Sequence, residues 1–202
     1  QPLRKAPGVD GHTAEMYKFA GSVMEQPVCR LFELCQALAV IPEEWKQANI
    51  KPVYKNKGNV KLMSNYRPIA LTTTMRRCYE KVVETFLLEK CNAYLADNQG
   101  GFRRNRSTID QVAILNELLV NSPQFLLVLL DIKAAYDTID RRILFTEMVK
   151  QAKLSTRVVR IIRTLFEDNE CFLMVNGARS RGIKNLRGLL QGSTLSPILI
   201  LS

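Results

Sequence analysis

The chain has 202 residues, 47% hydrophobic and 24% charged, a balance that supports a packed core and excludes a disordered polypeptide. Its longest apolar runs, Phe125 to Leu130 and Pro197 to Leu201, fall far short of the roughly 20 residues of a membrane-spanning helix, and no signal peptide opens it. The net charge of +10 is concentrated: residues 51–106 hold 12 basic and 4 acidic side chains, against a balance of −1 for residues 1–50 and +3 for residues 107–202. An excess of that size either attracts a polyanion or forms a solvated basic face.

Residues 1–11 are rich in Pro and Gly and read as turns. Helices are predicted from Thr13 to Phe19 and from Met24 to Ala39, the second ended before Pro42, with a short helix at Glu43–Lys46. Asn49–Tyr54 and Tyr66–Thr72 read as an antiparallel strand pair around the polar turn Lys55–Asn59. Apolar residues at helical spacing predict a long helix from Thr74 to Leu95. A Gly- and Arg-rich loop follows at Asn98–Arg106, and then a helix capped by Ser107 and running to Val120.

Six apolar residues, Phe125–Leu130, precede Asp131 and read as a fully buried strand. Asp137, with Asp140 three residues on, resembles an N-cap that opens a helix to Gln151, and another helix is expected from Ser155 to Phe166. Cys171–Val175 and Gly182–Leu186 read as a hairpin around Asn176-Gly177. Gly192-Ser193 is expected to open a last helix. The elements alternate without a βαβ rhythm, which predicts an α+β fold.

Five cysteines (Cys29, Cys35, Cys78, Cys91, Cys171) include no Cys-x-x-Cys pair, and His12 is the single histidine. They read as buried free thiols of an intracellular protein rather than as disulfides or a zinc site. The chain begins at Gln1, not Met, and stops at Ser202 within an apolar run, which predicts a fragment.

Several groups carry chemistry. Asp131, at the end of a buried strand, either binds a metal ion or bonds to turn amides; Tyr136 either walls a pocket or packs in the core. The Gln191-Gly192-Ser193 turn suits contact with a phosphate or sugar, or is an ordinary helix start. Lys55, Lys57 and Arg67, on the tip and returning strand of the hairpin, can converge on a triphosphate. Arg103, Arg104 and Arg106 suit the backbone of a nucleic-acid strand.

The order of these groups resembles the reverse transcriptase domain of non-LTR (LINE-type) retrotransposons. Seven blocks carry the resemblance across nearly the whole chain. They run from Lys5-Ala-Pro-Gly-Val-Asp-Gly11 through Ile41-Pro-Glu-Glu-Trp-Lys46, Lys57-Gly58 and Asn65-Tyr-Arg-Pro-Ile-Ala-Leu71. Gln99-Gly-Gly-Phe-Arg103 with Ser107-Thr-Ile-Asp-Gln111, Leu130-Asp-Ile-Lys-Ala-Ala-Tyr-Asp137 and Gly188-Leu-Leu-Gln-Gly-Ser-Thr-Leu-Ser-Pro197 complete them.

The resemblance implies a right-hand polymerase fold, with fingers and an N-terminal extension over residues 1–122, the front of the palm over 123–202, and no thumb. It implies an RNA-directed DNA polymerase that adds dNTPs to a DNA primer on an RNA template by two-metal nucleotidyl transfer. Asp131 and the carbonyl of Ile132 would bind Mg²⁺, with Mn²⁺ as a substitute, and Tyr136 would be the steric gate against a ribose 2′-OH. Arg67 and either Lys55 or Lys57 would meet the triphosphate, and Gln191 and Gly192 the nucleotide and the template-side bases. The remaining palm, a thumb and an endonuclease would belong to the rest of a polyprotein, placed in the nucleus or cytoplasm. No Asp-Asp pair occurs in the chain, so these residues alone are expected not to polymerise DNA. The alternative reading is a non-catalytic nucleic-acid-binding relic of a retrotransposon. A group II intron maturase shares most of the blocks, but the wording of two of them is more LINE-like.

Overall fold

A computed structural model describes residues 6–91, 95–103, 105–122 and 124–201. Lys5 of the opening block and Arg104 of the basic loop lie outside the described residues.

Two helices open the chain. α1 (Ala14–Ala20) leads through a 3-10 turn into α2 (Glu25–Leu38), whose C-cap Ala39 is left-handed at φ 50°. A second 3-10 turn, Glu43–Lys46, buries Trp45 and delivers the chain into β1 (Gln47–Tyr54). β2 (Tyr66–Thr72) returns antiparallel to it, in register from Ala48 opposite Thr72 to Tyr54 opposite Tyr66. The hairpin tip is closed by polar bonds: the Tyr54 hydroxyl donates to the Gly58 carbonyl at 2.6 Å, and the Asn65 amide to the Asn59 carbonyl at 2.8 Å.

α3 (Thr74–Cys91) follows, then α4 (Thr108–Asn121). Ser107 and Asp110 cap α4 reciprocally: the Asp110 amide donates to the serine hydroxyl and the Ser107 amide to the aspartate, at 3.2 and 2.8 Å. The turn α5 (Ala135–Thr138) precedes α6 (Arg141–Lys150) and α7 (Thr156–Phe166), capped by Asp140 and Ser155. β3 (Glu170–Val175) runs parallel to β1, and the chain turns back through Asn176 and Gly177, both at positive φ, into β4 (Ala178–Arg179). β5 (Ile183–Lys184) pairs with the start of β3, and α8 (Ser196–Leu201) ends the described chain. The sheet order is β2-β1-β3-β4, with β5 also on β3.

The main core lies between the helices. The rings of Phe32, Trp45 and Tyr79 meet at 5.2 to 6.1 Å between centroids, and Leu87, Met148, Ile162, Leu165, Phe166 and Leu195 fill the space behind them. A smaller cluster of Ala48, Ala70, Cys171 and Leu190 sits against the sheet.

Four expectations are corrected. Phe125–Leu130 belongs to no strand, and it is exposed: Leu126, Leu129 and Leu130 are 88, 84 and 91% accessible. An apolar run without alternation needs both faces covered and its edges paired, and the described strands pair with one another instead. Asp137 lies inside α5 and is not a cap; Asp140 caps α6 by accepting the Arg142 amide at 2.8 Å. The last helix opens at Ser196 rather than Gly192, because residues 188–193 form a turn against β2. All five thiols are free, but Cys29 is exposed and Cys78 half-buried.

The uncovered run has a consequence. An apolar ribbon with unpaired N–H and C=O groups is a template for pairing with another chain. Light scattering across a concentration series should show this polypeptide self-associating, and Leu126→Lys with Leu129→Glu should reduce that. A monodisperse wild-type monomer at high concentration would count against it.

Candidate functional site

The site is built around the turn Gly188–Ser193. Gly188 and Gly192 have φ of 75° and 121°, where an L side chain is strained. A Cβ on Gly192 would lie 2.6 Å from the Ala70 carbonyl oxygen, and one on Gly188 2.6 Å from that of Tyr136. Both glycines therefore let backbone lie on backbone. The Ala70 amide donates to the Gln191 carbonyl at 2.6 Å, the Leu189 amide to the Tyr136 carbonyl at 2.8 Å, and the Gly188 amide to the Ile139 carbonyl at 3.1 Å.

The turn thus joins β2 on one side to the segment after Asp131 on the other. The Gln191 side-chain amide donates to both Asp137 carboxylate oxygens, at 3.1 and 3.2 Å, across 54 residues of sequence. Between these parts lies a cleft of about 300 Å³ lined by Ile50, Pro68, Ala70, Asp137, Lys184 and Gln191. Cys171 also lines it, and burial raises its thiol pKa.

Arg141 braces the cleft from below. Its guanidinium donates to the carbonyls of Gly188, Phe166 and Asn185 at 2.7, 2.6 and 2.9 Å, and to the Asn185 side-chain oxygen. Burial lowers its pKa from the ordinary arginine value, and the ring of carbonyls is what a desolvated cation needs.

The structure brings together some of the sequence-predicted residues. Gln191 and Gly192 lie in the turn and Tyr136 meets it through its backbone carbonyl, its ring half-buried against the main core. Ala134, at φ 54°, sets the left-handed kink between Asp131 and Tyr136. Asp131 and Ile132 are exposed at the end of the uncovered apolar run rather than at the end of a buried strand. Among the described residues no group of three or more His, Cys, Asp or Glu converges. One exposed carboxylate and one backbone carbonyl fit a single edge of a divalent-cation site and do not make a two-ion centre.

Arg67 is exposed on β2, in register with Val53. The Lys55 ammonium donates to the Ser64 carbonyl at 2.7 Å, while Lys57 is exposed at the hairpin tip. Arg103 donates to the Ala96 carbonyl at 2.8 Å, and Arg106 is exposed just before the α4 cap.

Sequence reasoning missed Arg76 and Glu80, a fully buried ion pair on α3 at 2.8 Å. The signal was present. Arg76 stands three and seven residues before Tyr79 and Val83, and Glu80 three and seven before Val83 and Leu87, on a stripe that periodicity marks as buried, and charges there need partners.

Residues 53–201 match the family described as reverse transcriptase (RNA-dependent DNA polymerase). The chain is 24% identical over 204 residues to the probable RNA-directed DNA polymerase from transposon BS of Drosophila melanogaster, covering 98% of this chain and 22% of that protein. It is 24% identical over 199 residues to the transposon TX1 uncharacterized 149 kDa protein of Xenopus laevis, covering 96% of this chain and 15% of that protein. The chain therefore spans under a quarter of the length of these relatives.

Its fold is similar to that of apo telomerase from Candida tropicalis truncated from its C-terminal domain, with a TM-score of 0.51 and 17% identity over 94% of this chain and 43% of that one. The α+β architecture is accordingly that of the right-hand polymerases. Family match and motif order lead to one assignment: the chain belongs to the reverse transcriptase family, and the relatives it resembles are proteins of transposons and mobile elements.

Proposed function

We propose that residues 1–122 are the fingers and residues 123–202 the front of the palm of an RNA-directed DNA polymerase. Its substrates are an RNA template, a DNA primer and dNTPs. The observation that carries this reading is the Gln191 turn: its carbonyl bonds to Ala70 of β2 and its side chain to Asp137, so three separate blocks meet at one cleft. In this reading Gln191 and Gly192 face the nucleotide, and Tyr136, fixed through its carbonyl and its packing, excludes a 2′-OH. Arg67 and Lys57 meet the triphosphate. Lys55, already bonded to Ser64, is the weaker choice of the two lysines.

The family depends on divalent metal ions, and Mg²⁺ is the ion proposed here, with Mn²⁺ able to replace it. Such ions would supply charge stabilisation to the transferring phosphoryl group. Asp131 and the Ile132 carbonyl would be part of the donor set, the remaining carboxylates coming from the rest of the polyprotein together with a thumb. Among the described residues no helix is long and apolar enough to cross a membrane; action in the nucleus or cytoplasm is part of the proposal.

Arg103, Arg104 and Arg106 would track the nucleic-acid backbone beside the basic segment. Fluorescence anisotropy with an RNA–DNA primer–template should show affinity falling steeply with salt. The log–log slope should be about −0.7 to −0.9 for each phosphate neutralised, and Arg106→Ala should reduce it by about one contact. Salt-independent binding would remove the template role. The polymerase reading itself is tested by Mg²⁺-dependent primer extension with the full-length element-encoded protein, and absence of templated incorporation there would overturn it.

A further inference from the structure

The nucleotide-facing turn is held from behind by a charge that has no solvent access. Arg76 and Glu80 are both fully buried, one turn apart on α3. One Glu80 oxygen accepts the Arg76 Nε–H at 2.8 Å. The other accepts the Ser193 hydroxyl at 2.9 Å and the Thr194 amide at 3.0 Å, 113 and 114 residues away in sequence. Arg76 is itself fixed by the Trp45 carbonyl, the Asn169 side-chain oxygen and the Leu165 carbonyl, at 2.6, 2.7 and 2.6 Å. Its guanidinium therefore ties α3 to the 3-10 turn before β1 and to the end of α7, and Glu80 transmits that position to the turn.

We propose that Glu80, oriented by Arg76, is a positioning residue for nucleotide binding, holding Gln191 and Gly192 at the cleft through Ser193 and Thr194. This rests on the polymerase reading above. The alternative, a polar staple that only adds stability, is separated from it by chemistry at the turn. The turn carries two constraints on its two sides: Ala70 and Asp137 hold Gln191 at the cleft, and Glu80 holds the next residues from the core. A carboxylate is needed because it accepts on both oxygens. Glu80→Gln would aim its NH₂ either at the Arg76 guanidinium or at the Thr194 amide, and both are donors.

The test uses the full-length polymerase. Steady-state incorporation by Glu80→Gln and by Ser193→Ala should show the KM for dNTP raised about tenfold, the size expected for losing one hydrogen bond to a charged group. The KM for primer–template and kcat should stay within about threefold, since neither residue touches template or the reacting atoms. In the 202-residue chain, hydrogen exchange at the Thr194 amide should accelerate in Glu80→Gln. Ser193→Ala leaves the buried ion pair intact, so it keeps the kinetics readable if Glu80→Gln fails to fold.

An unchanged dNTP KM, or a fall in kcat alone that tracks the loss of folded protein, overturns the positioning role. A wild-type protein that incorporates no nucleotide defeats the polymerase reading instead. In that case an unaltered Thr194 exchange rate in Glu80→Gln still overturns the claim that Glu80 holds the turn, and faster exchange supports it.

Discussion

Asp131→Asn in the full-length polymerase should lower templated incorporation by about three orders of magnitude or more, the scale of losing a charged ligand to a catalytic dication. The same change should leave the unfolding midpoint of the 202-residue chain where it is. Asp131 is exposed, and among the described residues it has no hydrogen-bond or ion-pair partner, so folding draws nothing from it. Asn keeps the shape and one oxygen but not the negative charge that a hard dication requires.

Asp137 is the internal control. Its carboxylate is already occupied by the Gln191 amide and lies within α5. Asp137→Asn should therefore disturb the turn more than the chemistry and cost far less activity. Full activity in Asp131→Asn, with the loss appearing at Asp137 instead, would move the acidic role six residues along the chain and sink the assignment.

Local signals were the most legible part of the fold. The β1–β2 pair, the Ser107 cap, the start of α7 at Ser155 and the Asn176-Gly177 turn are each written in local residues, so sequence and structure agree there. What could not be read is set by distant partners. Phe125–Leu130 has the composition of a central strand, yet a strand exists only when an edge pairs with it, and none described does. The parallel pairing of β1 with β3 joins Gln47 to Glu170 across most of the chain, with nothing local to announce it.

The site divides in the same way. Gln191, Gly192 and Tyr136 stood out by motif, but not the bond from Gln191 to Asp137, because Asp137 offered an equally good local explanation as a helix cap. Arg76 was hidden for the opposite reason. An arginine within a basic segment reads as solvated, and only the burial of its neighbours on α3 argues otherwise.

That burial makes Arg76→Met the substitution expected to cost most in stability. Methionine can follow the path of the aliphatic stem, so the volume change is modest. The electrostatic change is not. Glu80 would keep Ser193 and Thr194 but lose its counter-ion, while the carbonyls of Trp45 and Leu165 and the Asn169 oxygen would each lose a donor in a dry core. Breaking a buried pair from one side typically costs about 3–5 kcal/mol, against about 5–15 kcal/mol of total stability for a domain. Urea unfolding should show the midpoint falling by much of its value, or no cooperative transition at all. Arg76→Met combined with Glu80→Leu should recover part of the loss, because no buried charge is then left unpaired. Full recovery is not expected: the Leu165 carbonyl keeps the Asn169 amide, but the Trp45 carbonyl and the Asn169 oxygen have no replacement donor, and the Ser193 hydroxyl and Thr194 amide lose their acceptor. If the single variant unfolds at the wild-type midpoint, the guanidinium does not join these elements, and the Glu80 bridge to the turn loses its anchor with it.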